Sequence, residues 1–210
     1  MKKFALIGLL VLLSTGAFAQ TTAGNISLGG SVGFNTSSQD ELNSENKYTM
    51  FSINPSIGYF VKDGLELGLN TQLVFGTNTT KSEGSASEAK NKDFGYAIGP
   101  YLRKYVSITE KLHFTATGGF GYQHSRTKNP DLDKELLSSA SGYYITAVPG
   151  LTYFATPKLG FTATIGNIGY NSTTITDEQS TPKNELTSKQ FEFDITPATA
   201  TLGIRYFINR

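Results

Sequence analysis

The chain has no cysteine, a net charge of only +1, and just two histidines in 210 residues. Without cysteine there are no disulfides, catalytic thiols, thiolate metal sites or lipid-modified N-terminal cysteine. Near-neutral charge removes the global field that would draw the protein to nucleic acid or an anionic surface, so no nucleic-acid partner is expected. Beyond the N-terminus no stretch of about 18 apolar residues occurs, which excludes a helical membrane protein. It does not exclude a membrane barrel, because alternation of apolar and polar residues hides the apolar face from any hydropathy average.

What is present is a repeat. Ile53-Asn54-Pro55-Ser56-Ile57-Gly58-Tyr59-Phe60 recurs as Ile98-Gly99-Pro100-Tyr101-Leu102-Arg103-Lys104-Tyr105 and as Ala147-Val148-Pro149-Gly150-Leu151-Thr152-Tyr153-Phe154. A looser copy runs from Ile195-Thr196-Pro197 to Ile204-Arg205-Tyr206-Phe207. Successive prolines are 45, 49 and 48 residues apart, a period that marks a repeated supersecondary unit. Each of the first three copies leads through a short turn into a second alternating run: Leu65–Leu69, Leu112–Ala116 and Leu159–Ala163. The unit is strand, tight turn, strand, long polar segment.

The N-terminus has a basic start (Lys2, Lys3), an apolar run from Phe4 to Leu13 and a small-x-small pattern, Ala17-Phe18-Ala19. This is the layout of a secretory signal peptide over residues 1–19, with the mature chain beginning at Gln20 and forming one domain over 20–210. Eight alternating strands follow. Loops are expected over Thr36–Lys47, Thr77–Lys92, His124–Gly142 and Asn171–Gln190, and short turns at Lys62–Gly64, Val106–Lys111 and Thr156–Lys158. Long connections therefore gather at one end of the sheet and minimal turns at the other, the asymmetry of a transmembrane barrel.

Periodicity alone does not say which face looks outward. Aromatic residues settle it, standing toward both strand ends of the apolar face. Phe51, Phe75, Phe94, Phe120, Tyr122 and Phe193 lie near the long connections, and Tyr59, Phe114, Tyr153, Phe161 and Tyr206 near the turns. Two such girdles suit the two interfaces of a membrane. The prolines remove ladder donors, and a closed barrel has no edge to hold them. A bulge is the expected answer, most clearly at Pro197. There the apolar phase passes from odd positions (Phe191, Phe193, Ile195) to even ones (Ala200, Leu202, Ile204).

With the signal, the alternation, Ser56-Ile57-Gly58-Tyr59-Phe60 and the closing Leu202-Gly203-Ile204-Arg205-Tyr206-Phe207 in view, the chain resembles the small outer-membrane β-barrel proteins, the porin-family or outer membrane protein β-barrel domain, over about residues 20–210. The resemblance implies an all-β fold, an eight-stranded antiparallel up-and-down transmembrane barrel in the bacterial outer membrane. It implies outer-membrane lipid or lipopolysaccharide as surroundings and the barrel-assembly machinery as a partner during insertion. The terminal strand would be that machinery's recognition signal.

Four functions compete. They are a structural or interaction barrel whose loops meet an extracellular partner, a narrow channel, a lipid-modifying enzyme, and a soluble exported lipid binder with reversed faces. Enzyme chemistry is not expected. His124 and Ser125 are adjacent in a strand and point to opposite faces, Gly118-Gly119-Phe120-Gly121 follows no strand-to-helix pattern, and no cofactor or metal site is indicated. The candidate site is instead a cluster of charges inside the turn end of the barrel. Glu66 and Arg103 lie on the polar faces of neighbouring strands, and His113 and Arg205 approach the same level. Glu66 is expected to pair with Arg103 and, with its neighbours, to plug the lumen.

Overall fold

The computed structural model describes residues 19–41, 44–82, 88–130, 135–194 and 201–208. The expected signal segment lies almost wholly outside them. Six long strands come first: β1 (Ile26–Glu41), β2 (Ser44–Lys62), β3 (Leu65–Ser82), β4 (Glu88–Ser107), β5 (Leu112–Asn129) and β6 (Glu135–Thr156). The seventh strand is broken into β7 (Leu159–Thr164) and β8 (Asn167–Asp177), and the described parts of the eighth are β9 (Asn184–Asp194) and β10 (Thr201–Ile208). Neighbours pair antiparallel in chain order from β1 to β6; β6 pairs with β7, β7 with β10, and β10 with β1. This closes a ring of eight strands.

The apolar faces point outward, as the girdles required. Leu67, Leu69, Ile98, Leu102, Phe120 and Ile204 are all exposed, while the inward positions carry Ser, Thr, Asn, Gln and Gly. Near the long-hairpin end, Phe34, Phe51, Phe75 and Phe94 stand side by side on four successive strands, each opposite the next in register. That row marks one edge of the apolar band.

Two expectations are corrected. The polar segments read as long loops are mostly strand. β1 to β6 run 16 to 22 residues each and carry their ladders well past the aromatic row, leaving only short tips. Thr- and Ser-rich stretches have β propensity and satisfy their backbone groups in the ladder. They show no apolar alternation, so a reading based on hydrophobic period passes over them.

The prolines do not all sit at bulges. Across Pro55 the β2–β3 register is the same on both sides (Ile53 opposite Leu73, Ser56 opposite Asn70). Across Pro100 the β4–β5 register is likewise unbroken (Ile98 opposite Tyr122, Tyr101 opposite Gly119). The ladder omits two pairs at each proline and resumes. The backbones draw close there, since a Cβ on Gly99 would lie 2.0 Å from the carbonyl oxygen of Phe120. Beside Pro149 the β6 ladder passes from β8 to β7 with a one-residue slip, next to Ile165–Gly166, where Gly166 has φ +76°. The apolar phase does change between β9, with Phe191 and Phe193 outward, and β10, with Leu202 and Ile204 outward. Pro197 itself lies outside the described residues.

The ring is complete only in its turn half. β1 pairs with β10 from Ile26 to Ser31. Among the described residues, the rest of β1 (32–41) has β2 as its only ladder partner, and β9 has only β8. Side chains from Asn35 to Gln39 and from Asn184 to Phe193 are exposed on both faces of their strands. At the hairpin end the wall is therefore parted between β1 and β9.

Candidate functional site

The fourth repeat turns out to be as exact in space as it is loose in sequence. The last residue of each copy, Phe60, Tyr105, Phe154 and Phe207, points inward at the turn end and is buried. Together they form the apolar core of the molecule. Ring centroids are 5.5 Å apart for Phe60–Tyr105, 6.2 Å for Phe60–Phe207 and 5.0 Å for Phe154–Phe207. The backbone repeats the pattern. Phe60 N–H donates to the Asn25 carbonyl (2.9 Å), Tyr105 to Gly64 (2.8 Å), Phe154 to Lys111 (2.7 Å) and Phe207 to Lys158 (2.8 Å). Each acceptor is the residue just before the neighbouring strand, β1, β3, β5 or β7, so four strand pairs bring four aromatic rings together.

Local chemistry explains why the turns hold still. Gly64 adopts φ +65°, the left-handed conformation a two-residue turn asks for. In the other two turns a threonine hydroxyl, Thr109 or Thr156, accepts from the backbone N–H groups two and three residues on. The segment before β1 is also pinned here. Ala23 N–H donates to Asp63 Oδ1 at 2.8 Å and Gly64 N–H to the Thr21 carbonyl at 2.8 Å.

Above the aromatic layer lies a polar one. Glu66 is fully buried and Arg205 is 4% exposed. Arg205 Nη1 is 2.8 Å from Glu66 Oε1. Ser27 donates to the same carboxylate oxygen at 2.7 Å, Tyr101 also donates to it, and Tyr105 donates to Glu66 Oε2 at 2.7 Å. Arg205 further donates to Ser27 Oγ (2.8 Å) and Ser56 Oγ (3.1 Å). A carboxylate taken out of water needs its lone pairs filled as well as its charge balanced, and this one has four donors. Small residues make the room. A Cβ at Gly58 would lie 2.0 Å from Glu66 Oε1, and one at Gly29 would lie 2.9 Å from the Arg205 guanidinium carbon.

The four residues expected to cluster divide into two groups. Glu66 and Arg205 are ion-paired. Arg103, expected as the partner of Glu66, is its ladder neighbour but forms no ion pair with it among the described residues. Its Nε donates to Thr117 Oγ1 at 2.8 Å, and its guanidinium stands 5.1 Å from the Tyr101 ring centroid. The oxygens of Glu66 are already occupied by Arg205 and the hydroxyls. His113 belongs to the aromatic layer, edge-on to Phe154 at 4.9 Å. Tyr101, Tyr105, Ser27 and Ser56 were not singled out from the sequence. The signal was there, because Tyr101, Arg103 and Tyr105 share one face of a strand at period two.

Toward the hairpin end the lumen widens into a cavity of about 490 Å³, lined among others by Asn54, Asn70, Gln72, Arg103, Gln123 and Tyr144. It offers amides and hydroxyls beside Arg103, Arg205 and Glu192. His124 packs on Tyr96 at 5.6 Å on the outer surface, whereas Ser125 faces Gly95 on the other side of the same strand. No group of three or more metal-ligating side chains occurs among the described residues.

The fold is similar to that of OprG from Pseudomonas aeruginosa, at 13% identity over 92% of this chain and 100% of that one, with a TM-score of 0.52. Neisserial surface protein A gives 14% identity over 88% of this chain and 97% of that one, with a TM-score of 0.45. No curated protein matches the sequence significantly. The model of the outer membrane protein beta-barrel domain matches residues 5–206. That match takes in both girdles, all three turns and the Glu66–Arg205 pair, and by it the chain belongs to the family of bacterial outer-membrane β-barrel proteins.

Proposed function

We propose that the protein is a structural and interaction barrel. It starts at Gln20 once residues 1–19 have been removed, presents four hairpins to the exterior, and has a lumen shut at its turn end. The observation that carries this reading is the layering at the turn end, where the Glu66–Arg205 pair, with four donors on its carboxylate, lies on four packed aromatic rings. An eight-stranded interior is only wide enough for side chains to fill, and the side chains packed at the turn end support a closed floor there. The hairpin end faces outward, since short turns are the periplasmic ends of such barrels. Partners are outer-membrane lipid, the assembly machinery during insertion, and an extracellular molecule met by the hairpin tips. No catalytic group is assigned.

Planar-bilayer recording of the purified protein tests this against the channel reading. The wild-type barrel should show no stable conductance, and Phe207→Ala combined with Arg205→Ala should open one. Large, stable wild-type channels would overturn the proposal.

A further inference from the structure

The outer surface carries a second feature, unconnected with the lumen. Directly beyond the phenylalanine row, across β3 to β5, lies a groove of about 370 Å³, lined among others by Phe75, Phe94, Lys92, Asp93, Arg126 and Lys128. Arg126 is opposite Phe94 in register, and its guanidinium stands 5.4 Å from that ring centroid. Lys92 and Lys128 face each other one outward-pointing pair further on. Two residues along a strand span about 7 Å, so three cations sit within headgroup distance of the edge of the apolar band.

None of the three forms an ion pair among the described residues, where the ion pairs are Lys81–Glu88, Lys183–Glu178 and Arg205–Glu66. Asp93, the acidic residue beside them, turns inward and accepts from Thr127 at 2.7 Å. The opposite side of the barrel supplies an internal control. There the outward positions of β6 and β8 include Ser139, Ser141, Ser172, Thr174 and Thr176, and β9 adds Lys189 with Glu185 nearby. The other outward cations on this side, Lys47, Lys81 and Lys90, stand further along the ladders beside Glu45 and Glu88, whereas Lys92, Arg126 and Lys128 are gathered next to two phenylalanines that pack 5.4 Å apart.

We propose that this groove is a binding site for a phosphorylated glycolipid of the outer leaflet, with acyl chains along Phe75 and Phe94 and phosphates among Lys92, Arg126 and Lys128. The inference rests on the reading that the hairpin end faces outward, because only then does the groove meet the outer leaflet. Apolar surface next to unpaired cations matches an anion that carries hydrocarbon, and each basic residue near a charged lipid surface contributes about fivefold in affinity.

The test uses the full mature barrel refolded in detergent, with diphosphorylated lipid A as the probe and bound lipid read by native mass spectrometry. The wild type should retain lipid A. The triple variant Lys92→Gln/Arg126→Gln/Lys128→Gln should lose roughly a hundredfold in affinity. Arg126→Gln alone should lose about fivefold, and Lys189→Gln should lose nothing. The gel shift between unheated and boiled samples reports whether each variant has folded. Equal retention by wild type and folded triple variant would overturn the proposal. So would equally tight binding of lipid A stripped of phosphate, or of a phosphorylated sugar lacking acyl chains. Retention in detergent does not depend on orientation, so labelling of a cysteine at Gln179 on intact cells tests the underlying topology separately.

Discussion

The two halves of this barrel solve the same problem in opposite ways. In the turn half every strand is paired on both sides, and the interior is filled by a charge pair lying on aromatic rings. In the hairpin half the ladders are longer, yet β1 and β9 are not joined and the interior is a polar cavity. Ladder length and closure are therefore separate properties. The strands extend because Thr- and Ser-rich sequence pairs readily, while closure depends on a few inward side chains that meet across the axis. The half with the simplest connections is the one with the most demanding interior.

The largest effect should come from breaking the charge pair. Arg205→Ala leaves Glu66 buried without its cation and should cost about 3–5 kcal/mol, measured by denaturant unfolding of the barrel in lipid or detergent. Adding Glu66→Gln should recover much of that loss, because the remaining hydroxyl network suits a neutral amide. If Arg205→Ala unfolds at the wild-type midpoint, the turn half is not the stability centre described here. Removing an aromatic from the lower layer comes next, with Phe207→Ala expected to cost about 3 kcal/mol through the cavity it leaves. Arg103→Ala should cost less than either, since Arg103 makes no ion pair with Glu66 and acts on it only through its nearby charge.

Much of this was legible in the sequence. The outward faces followed from alternation and the two girdles, and the turn-end location of Glu66 and Arg205 from their places on polar faces. The partner of Glu66 was not legible. Arg103 lies next to it in the ladder, whereas Arg205 reaches it from a strand 139 residues away, over Gly29. Strand order gives the ladder neighbour, but side-chain reach and the space left by glycines decide the pairing. The aromatic layer was half legible. Phe60 continues the even-numbered face of Ser52, Asn54, Ser56 and Gly58, but a large apolar residue on a polar face does not show in an amphipathic pattern.

The comparison sharpens further with insertions. An epitope at Gln179, at the exposed tip between β8 and β9, should shift the unfolding midpoint by no more than about 0.5 kcal/mol. The same insertion at Gly64 should abolish the folded gel form, because Tyr105 donates to the Gly64 carbonyl and Gly64 to that of Thr21. The smallest expected effect is at the same tip. The Asp177 carboxyl is held below its usual range by the Ser180 hydroxyl and then by the Gln179 N–H. A carboxyl lowered in the folded state adds stability above its unfolded value, near pH 4, and loses it as pH falls through the lower folded one. Protease nicking at Glu178–Pro182 should therefore rise below about pH 4, with the barrel itself intact. Nicking that does not change with pH would show that this cap contributes nothing to the tip.

The four rings at the turn end also tie closure to a single strand, β10. Phe60, Tyr105 and Phe154 come from β2, β4 and β6, and Ser27, Tyr101 and Tyr105 offer Glu66 only hydroxyls. Its cation and the fourth ring both belong to the last strand, two residues apart at Arg205 and Phe207. A chain cut short before β10 would leave the carboxylate without counter-charge, the aromatic layer one ring short, and β1 and β7 without the strand that joins them. The barrel's floor therefore needs β10 for its charge, its fourth ring and its seam at once.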